Sequence, residues 1–463
     1  MAITFVKEKN MFFLDGKDVT YAFFINHAQY AEHLYFGAKI AHDDITYTRA
    51  TGANSSYVTV PGMDNLPVWP NGYAYFPSEL SFFGSGDFRE PAVLAENPAG
   101  DRMSDLLYDG YDILPEKPAI PGMPSMTGGE TLVLHLCDRV TGFAADLYYT
   151  VYPDANVIAR HAVYKNGTAD VVRLRRAYSF SMGLPTGAYD MTSFYGAWAR
   201  ERTPERVPLR HGVSSVDSKR TSSSHVLNPF IMLSAPDATE TTGDVWGFSL
   251  VYSSSYVLKA EVTTSGEIQV TGGINDFDFS WKLDAGESLA TPEVVIAYSA
   301  EGFGAMSRAY HDAYRDHLMN PRFAKAPRPL LINNWEATYF NFTNEKLMAL
   351  VDAVADTGID TFVLDDGWFG KREDDRTGLG DWVVNEKKLK GGLSAVIDYV
   401  HKKGMKFGLW FEPEMVSEDS DLYRAHPDYA IAVPGRAHAL SRHQLVLDIT
   451  RADVRDYIGG AVG

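Results

Sequence analysis

LLINNWEATYFNFTNEKLMALVDAVADTGIDTFVLDDGWF (330–369) reads as a strand, a helix and a second strand, and it decides the fold class of the C-terminal part. LLINNWE (330–336) is a short apolar run expected to be a buried strand. NEKLMALVDAVADTG (344–358) is apolar at helical spacing and closed by Gly358, and TFVLDDGWF (361–369) is again strand-like. The same grammar continues with a helix, LSAVIDYVHKKG (393–404), closed by Gly404, and with strands KFGLWFEPE (406–414) and QLVLDIT (444–450). Strands that alternate with helices build parallel sheets, and each of these strands ends in polar or aromatic residues. The expectation is the first four βα units of a (β/α)8 barrel over 330–463, whose C-terminal strand edge carries the chemistry. A half barrel has open sheet edges, so the polypeptide is expected to continue past Gly463.

Upstream the pattern differs. TLVLHLCDRVTGFAADLYYTVYPDANVIARHAVYKNGT (131–168) and DVWGFSLVYSSSYVLKAEVTTSGEIQVTGGI (244–274) are short alternating runs separated by turns, without intervening helices. They predict an N-terminal antiparallel β-sandwich over 1–300, built from two packed sheets. GFGAMSRAYHDAYRDHL then spaces Met306, Tyr310 and Tyr314 as one helical stripe, and Pro321, Pro327 and Pro329 mark a boundary. That makes 301–329 a helical linker.

Composition narrows the function. The 463 residues are 45% hydrophobic and 22% charged, the balance of a globular protein long enough for more than one core. A formal charge of −18 argues against nucleic acid, which rewards clustered Lys and Arg. Cys137 stands alone, so no intrachain disulfide forms, and no signal-like apolar core opens the chain. With no apolar run of about 18 residues, a membrane span is not expected, and a cytoplasmic location is. Aromatic residues reach 13%, which suits either a large β core or a surface that stacks on sugar rings.

The strand ends carry the candidate chemistry. Asp365 and Asp366 offer paired carboxylates, suited to vicinal sugar hydroxyls, to a metal, to glycosidase acid/base work, or simply to a capped turn at Gly367. Trp335 and Trp410 are placed either as walls of a sugar pocket or as packing between sheet and helices. Glu412 and Glu414 lie one strand period apart and read as catalytic carboxylates or as members of an ion pair. Arg442 is a forked donor for carboxylate or sugar oxygens, or a solvated arginine, and Asp448 faces the pocket or orients it. The acidic run 373–381 lacks EF-hand spacing, and His426, His438 and His443 match no zinc signature. No phosphate loop or dinucleotide fingerprint is present, so no cofactor and no metal are expected.

At these residues the chain resembles the family 36 glycoside hydrolases, the α-galactosidases, along essentially its whole length. The resemblance runs in order through ELSFFGSGDFREPAV (79–93), GAWARER (196–202), SSHVLNPFIML (223–233), WEATYFNF (335–342), LDDGWFGKREDD (364–375), GLWFEPEMVSEDSDLYRAHPDY (408–429) and LVLDITR (445–451). It implies a β-supersandwich followed by a (β/α)8 barrel, and hydrolysis of terminal non-reducing α-galactosides such as melibiose and raffinose with net retention. It also implies that Asp365 and Asp366 grip galactose hydroxyls, that Trp335 and Trp410 wall the pocket, that Arg442 lies beside the ring, and that Trp198 touches substrate. Asp64 in MDNLP resembles a loop aspartate that reaches a neighbouring subunit in tetrameric members, which implies a homo-oligomer, although 68–83 departs from the family's short acidic-aromatic stretch. The family's nucleophile and acid/base aspartates fall beyond Gly463, so no catalytic carboxylate is assigned here and the chain alone is expected to be inactive. The scaffold leaves three alternatives: an α-galactosyltransferase, an α-N-acetylgalactosaminidase, or a non-catalytic sugar-binding fragment.

Overall fold

The computed structural model describes residues 2–49, 77–84 and 86–463. The chain divides into two units, Met1–Lys325 and Ala326–Gly463.

Among the described residues the first unit is antiparallel β structure, as expected, but in three sheets rather than two. A four-stranded meander of Ile3–Val6, Met11–Asp15, Val19–Ile25 and Ala31–Ala38 opens the chain. A six-stranded sheet is organised around the long strand Val172–Leu184, and a ten-stranded sheet runs from Arg200–Pro208 at one edge to Leu107–Leu114 at the other. Alternation decides which face is buried. In Phe143–Val151, Phe143, Ala145, Leu147, Tyr149 and Val151 all turn into one apolar core. The same core takes Phe12, Tyr21 and Phe23 from the meander and Leu174, Tyr178 and Phe180 from the six-stranded sheet.

A buried polar cluster sits in this apolar interior. Glu79 is fully buried, 3.1 Å from the Arg160 guanidinium, and its carboxylate accepts from the Tyr21 and Tyr149 hydroxyls at 2.7 Å. Arg160 also donates to the Ser181 carbonyl at 2.9 Å and to the Glu79 carbonyl at 3.0 Å. Tyr21 belongs to the meander, Tyr149 and Arg160 to the ten-stranded sheet and Ser181 to the six-stranded one, so three sheets meet on one ion pair. Burial pushes the Glu79 carboxyl up, but Arg160, with His33 and Tyr21, outweighs it and holds the group below the usual carboxylate range.

The helical stripe expected from Met306 onward is present in Gly302–Ala313, which packs on the ten-stranded sheet. Met306, Tyr310 and Ala313 are buried against Val157, Val245 and Val295, and the Tyr310 hydroxyl donates to the Val295 carbonyl at 3.0 Å. Gly247 permits this approach, because a Cβ there would lie 2.8 Å from the Tyr310 ring. The hairpin of Asp190–Ala197 and Arg200–Pro208 closes one end of the sheet, and every residue of Arg200–Pro208 is exposed.

In the second unit Leu331–Asn333, Thr361–Leu364 and Lys406–Leu409 form a parallel sheet in that order. The connecting helices are Asn344–Val354, capped by Thr343, and Gly392–Lys402. Their faces bury Leu347, Val351, Val396 and Val400 against Phe362 and Leu364. Two expectations need correcting. The first strand is an edge strand and is not buried, with Leu330 63% and Leu331 54% exposed. The segment expected as a fourth parallel strand instead contributes Gln444–Val446, paired antiparallel with Met415–Ser417. Arg442 and His443 both adopt left-handed backbone, at φ 52° and 59°, and turn the chain just before that pairing. The strands are also shorter than expected, ending at Leu364 and Leu409, ahead of the positive-φ Gly367 and of Pro413. No helix among the described residues is long and apolar enough to cross a membrane.

Replacing Arg160 by Met should leave Glu79 buried without its cation, at a cost of about 3–5 kcal/mol. Thermal melts should show the first unit destabilised by about 5 °C or more. The double variant Glu79→Gln/Arg160→Met should recover part of that loss, and a single variant melting like the parent would refute the role given to the pair.

Candidate active site

The C-terminal edge of the parallel sheet is organised by two asparagines after the first strand. Asn334 is fully buried; its N–H donates to the Val363 carbonyl at 3.2 Å and its side-chain oxygen accepts from the Asp365 N–H at 2.7 Å. Asn333 donates its amide to an Asp365 carboxylate oxygen, while its own oxygen takes the Trp335 N–H at 2.8 Å. One asparagine therefore sets both Asp365 and Trp335. Trp335 opens a short helix, Trp335–Thr338, rather than ending the strand, and its ring meets Tyr339 and Phe340 edge-on. Asp365 is half-buried, and its other oxygen accepts the Asp366 N–H at 2.7 Å.

Asp366 points elsewhere. It is 3% exposed and forks with the fully buried Arg372, Nε to Oδ1 at 3.0 Å and Nη2 to Oδ2 at 2.8 Å. Arg372 spends a third N–H on the Thr377 carbonyl at 3.0 Å. Gly367 makes the turn at φ 96°, where a Cβ would lie 2.9 Å from Phe340. Lys388 secures the loop from behind, donating to the Gly367 and Arg372 carbonyls at 3.1 and 2.9 Å. Thus adjacent carboxylates have different surroundings: an amide and a backbone N–H for Asp365, a buried guanidinium for Asp366.

At the third strand's end, Trp410 donates its N–H to the Leu364 carbonyl at 2.9 Å and accepts the Trp368 indole N–H at 3.0 Å. Its ring lies parallel to Phe369, centroids 6.4 Å apart, in a cluster with Trp382. Both readings of Trp410 keep support, since the ring is packed on one side and only half-buried. Glu412 follows, with Oε2 buried and without a hydrogen-bond partner. Burial pushes the Glu412 carboxyl up and the Glu414 and Asp366 charges add to this, while Arg442 and Arg372 pull against it. The charges of Asp366, Arg372, Glu414 and Arg442 thus all act on Glu412.

The remaining candidates are distributed differently. Arg442 is exposed, on its left-handed turn. Asp448 accepts from the Thr450 N–H and hydroxyl, closing the turn before the helix Ala452–Val462. Trp198 belongs to the first unit, 86% exposed at the tip of the Asp190–Pro208 hairpin. Asp64 lies outside the described residues. Among the described residues no group of His, Cys, Asp and Glu is arranged to hold a metal ion. Sequence reasoning missed Asn333, Asn334, Arg372 and Lys388. An Asn-Asn pair closing a strand, and an arginine six residues after a strand-end aspartate, were the available signals.

The family model described as "Glycosyl hydrolase family 36 N-terminal domain" matches residues 29–284, and the model described as "Melibiase" matches 288–463. Alpha-galactosidase AgaA of Geobacillus stearothermophilus is 41% identical over 99% of this chain and 63% of its own length. Among solved structures, the GH36 α-galactosidase AgaB of the same organism superposes with a TM-score of 0.94 at 42% identity, covering 100% of this chain and 64% of that one. An AgaA variant in complex with raffinose gives 0.93 at 41% identity, covering 98% and 63%. The chain therefore spans about 63% of the length of the curated relatives it matches.

Glu412 generates a pH prediction. A carboxyl whose folded pKa is raised binds its proton more tightly in the folded state, so stability falls as pH rises through the window between the ordinary and the raised value. Glu412→Gln should melt above the parent at neutral pH, and the gain should vanish on acidification towards about pH 4. Thermal melts across that range check it; a parent–variant difference that stays constant with pH would count against a raised Glu412.

Proposed function

The chain belongs to glycosyl hydrolase family 36, and from that membership we propose that the whole protein is an α-galactosidase, releasing terminal non-reducing α-D-galactosyl residues from oligosaccharides of the melibiose and raffinose type. The observation that carries this reading is the 41% identity to an α-galactosidase that runs through 99% of the chain, site segments included. The complex of a relative with raffinose supports the substrate class.

In this reading the residues of the parallel-sheet edge recognise the sugar. Asp365 is the more available acceptor, since its partners are neutral donors and its side chain is half-buried. Asp366 contributes from the floor, Trp335 and Trp410 stack on the apolar face of the ring, and Arg442 donates from the rim. Trp198 touches substrate and Asp64 acts across a homo-oligomer. A retaining mechanism requires two carboxyls about 5–5.5 Å apart, one attacking the anomeric carbon and one protonating the leaving oxygen. We assign both to family segments that follow residue 463, and Asp365 and Asp366 to binding.

Asp365→Asn in the full-length protein should bind galactose about ten- to a hundredfold more weakly, because one acceptor oxygen becomes a donor facing a hydroxyl. Calorimetry reads this directly, and unchanged affinity would remove Asp365 from the site. The 463-residue chain by itself should release no measurable aryl alcohol from an aryl α-galactoside. Release within about tenfold of the full-length rate would return the catalytic role to its own carboxylates.

A further inference from the structure

Asp366 sits where a sugar carboxylate is wanted, yet it is almost wholly buried and committed to a guanidinium. A carboxylate has about four lone-pair sites. Arg372 reaches Oδ1 once, from Nε at 3.0 Å, and Oδ2 twice, from Nε at 3.2 Å and Nη2 at 2.8 Å. Acceptor capacity therefore remains on Oδ1. The guanidinium itself is held on several sides: fully buried, bonded to the Thr377 carbonyl at 3.0 Å, and lying over the Phe340 ring at 5.7 Å. Phe340 also meets the Trp335 ring edge-on, centroids 5.0 Å apart. The same aromatic side chain thus touches both the arginine and the tryptophan of the edge.

We propose that Arg372 is a positioning residue of the galactoside site, fixing the orientation of the Asp366 carboxylate while leaving it an acceptor direction for a sugar hydroxyl. The inference rests on the galactoside reading of this sheet edge. An unpaired Asp366 would be left buried with the Glu412 carboxyl acting on it across the edge and no cation to hold its plane. Lysine cannot replace the fork, because an ammonium is a point charge that does not fix the plane of a carboxylate.

The test uses the full-length protein and galactose as the probe, with affinity from calorimetry, melting temperature, and kcat and KM on an aryl α-galactoside. Arg372→Met, assayed where it is folded, should bind galactose about ten- to a hundredfold more weakly. Arg372→Lys should recover part of that loss. Val396→Ala, which thins the core behind the sheet, should lower the melting temperature and leave galactose affinity and KM at parental values. A folded Arg372→Met with parental affinity overturns the proposal. If that variant does not fold, Arg372→Lys decides: parental affinity, kcat and KM overturn it, and a raised KM in a folded protein supports it. Should Asp365→Asn and Asp366→Asn both keep parental affinity, the galactoside reading fails and takes this inference with it. Should they lose affinity while the Arg372 variants keep it, only the role of Arg372 falls.

Discussion

The first unit depends on a carboxylate placed where three sheets converge. Glu79 and Arg160 are both buried, and each would be costly there without the other. Their hydrogen bonds run to Tyr21 in the meander, to Tyr149 in the ten-stranded sheet and to the Ser181 carbonyl in the six-stranded sheet. Apolar packing alone is tolerant of sliding, because one methyl group does nearly as well as another. A carboxylate that must find a guanidinium and two hydroxyls is not. The network gives the sandwich a single register, while surrounding side chains such as Phe12, Phe23 and Phe180 supply apolar burial.

The second unit repeats the device at smaller scale. Asp366 and Arg372 are a buried carboxylate and guanidinium, and they fix the loop after the second parallel strand as Glu79 and Arg160 fix the sheets. Asn333 and Asn334 do neutral work beside them, joining the ends of the first and second strands. The outcome is a sheet edge on which rigid polar groups stand among aromatic rings. Binding a ring with hydroxyls on its rim and C–H groups on its face requires that combination.

Much of this was legible in the amino-acid sequence, and the failures have physical causes. Alternating runs identified the β unit because antiparallel strands such as Phe143–Val151 turn alternate residues to opposite faces. Helical spacing with closing glycines located Asn344–Val354 and Gly392–Lys402. LLINNWE looked buried because apolar runs usually are, but over the part of the fold that this chain spans the strand lies at the open sheet edge expected of a half barrel. QLVLDIT has strand chemistry and forms a strand; its partner, Met415–Ser417, depends on the paired left-handed residues Arg442 and His443, which no propensity reveals. Asp365 and Asp366 were visible as a pair, but their division into an accessible and a salt-bridged carboxylate was not. That division is written by Arg372, six residues on and brought back by the turn at Gly367.

The hairpin at the end of the ten-stranded sheet has a consequence for the edge that it presents. Arg200–Pro208 is a nine-residue strand, exposed throughout, at a sheet edge, and such a strand is ordinarily a template on which another chain adds its own. Here the template is spoiled residue by residue. Pro204 and Pro208 lack the N–H, and Arg200, Glu201, Arg202, Glu205 and Arg206 crowd the strand with charge. Arg202 adds a left-handed kink at φ 56°. This strand is thereby a poor template for the addition of another strand.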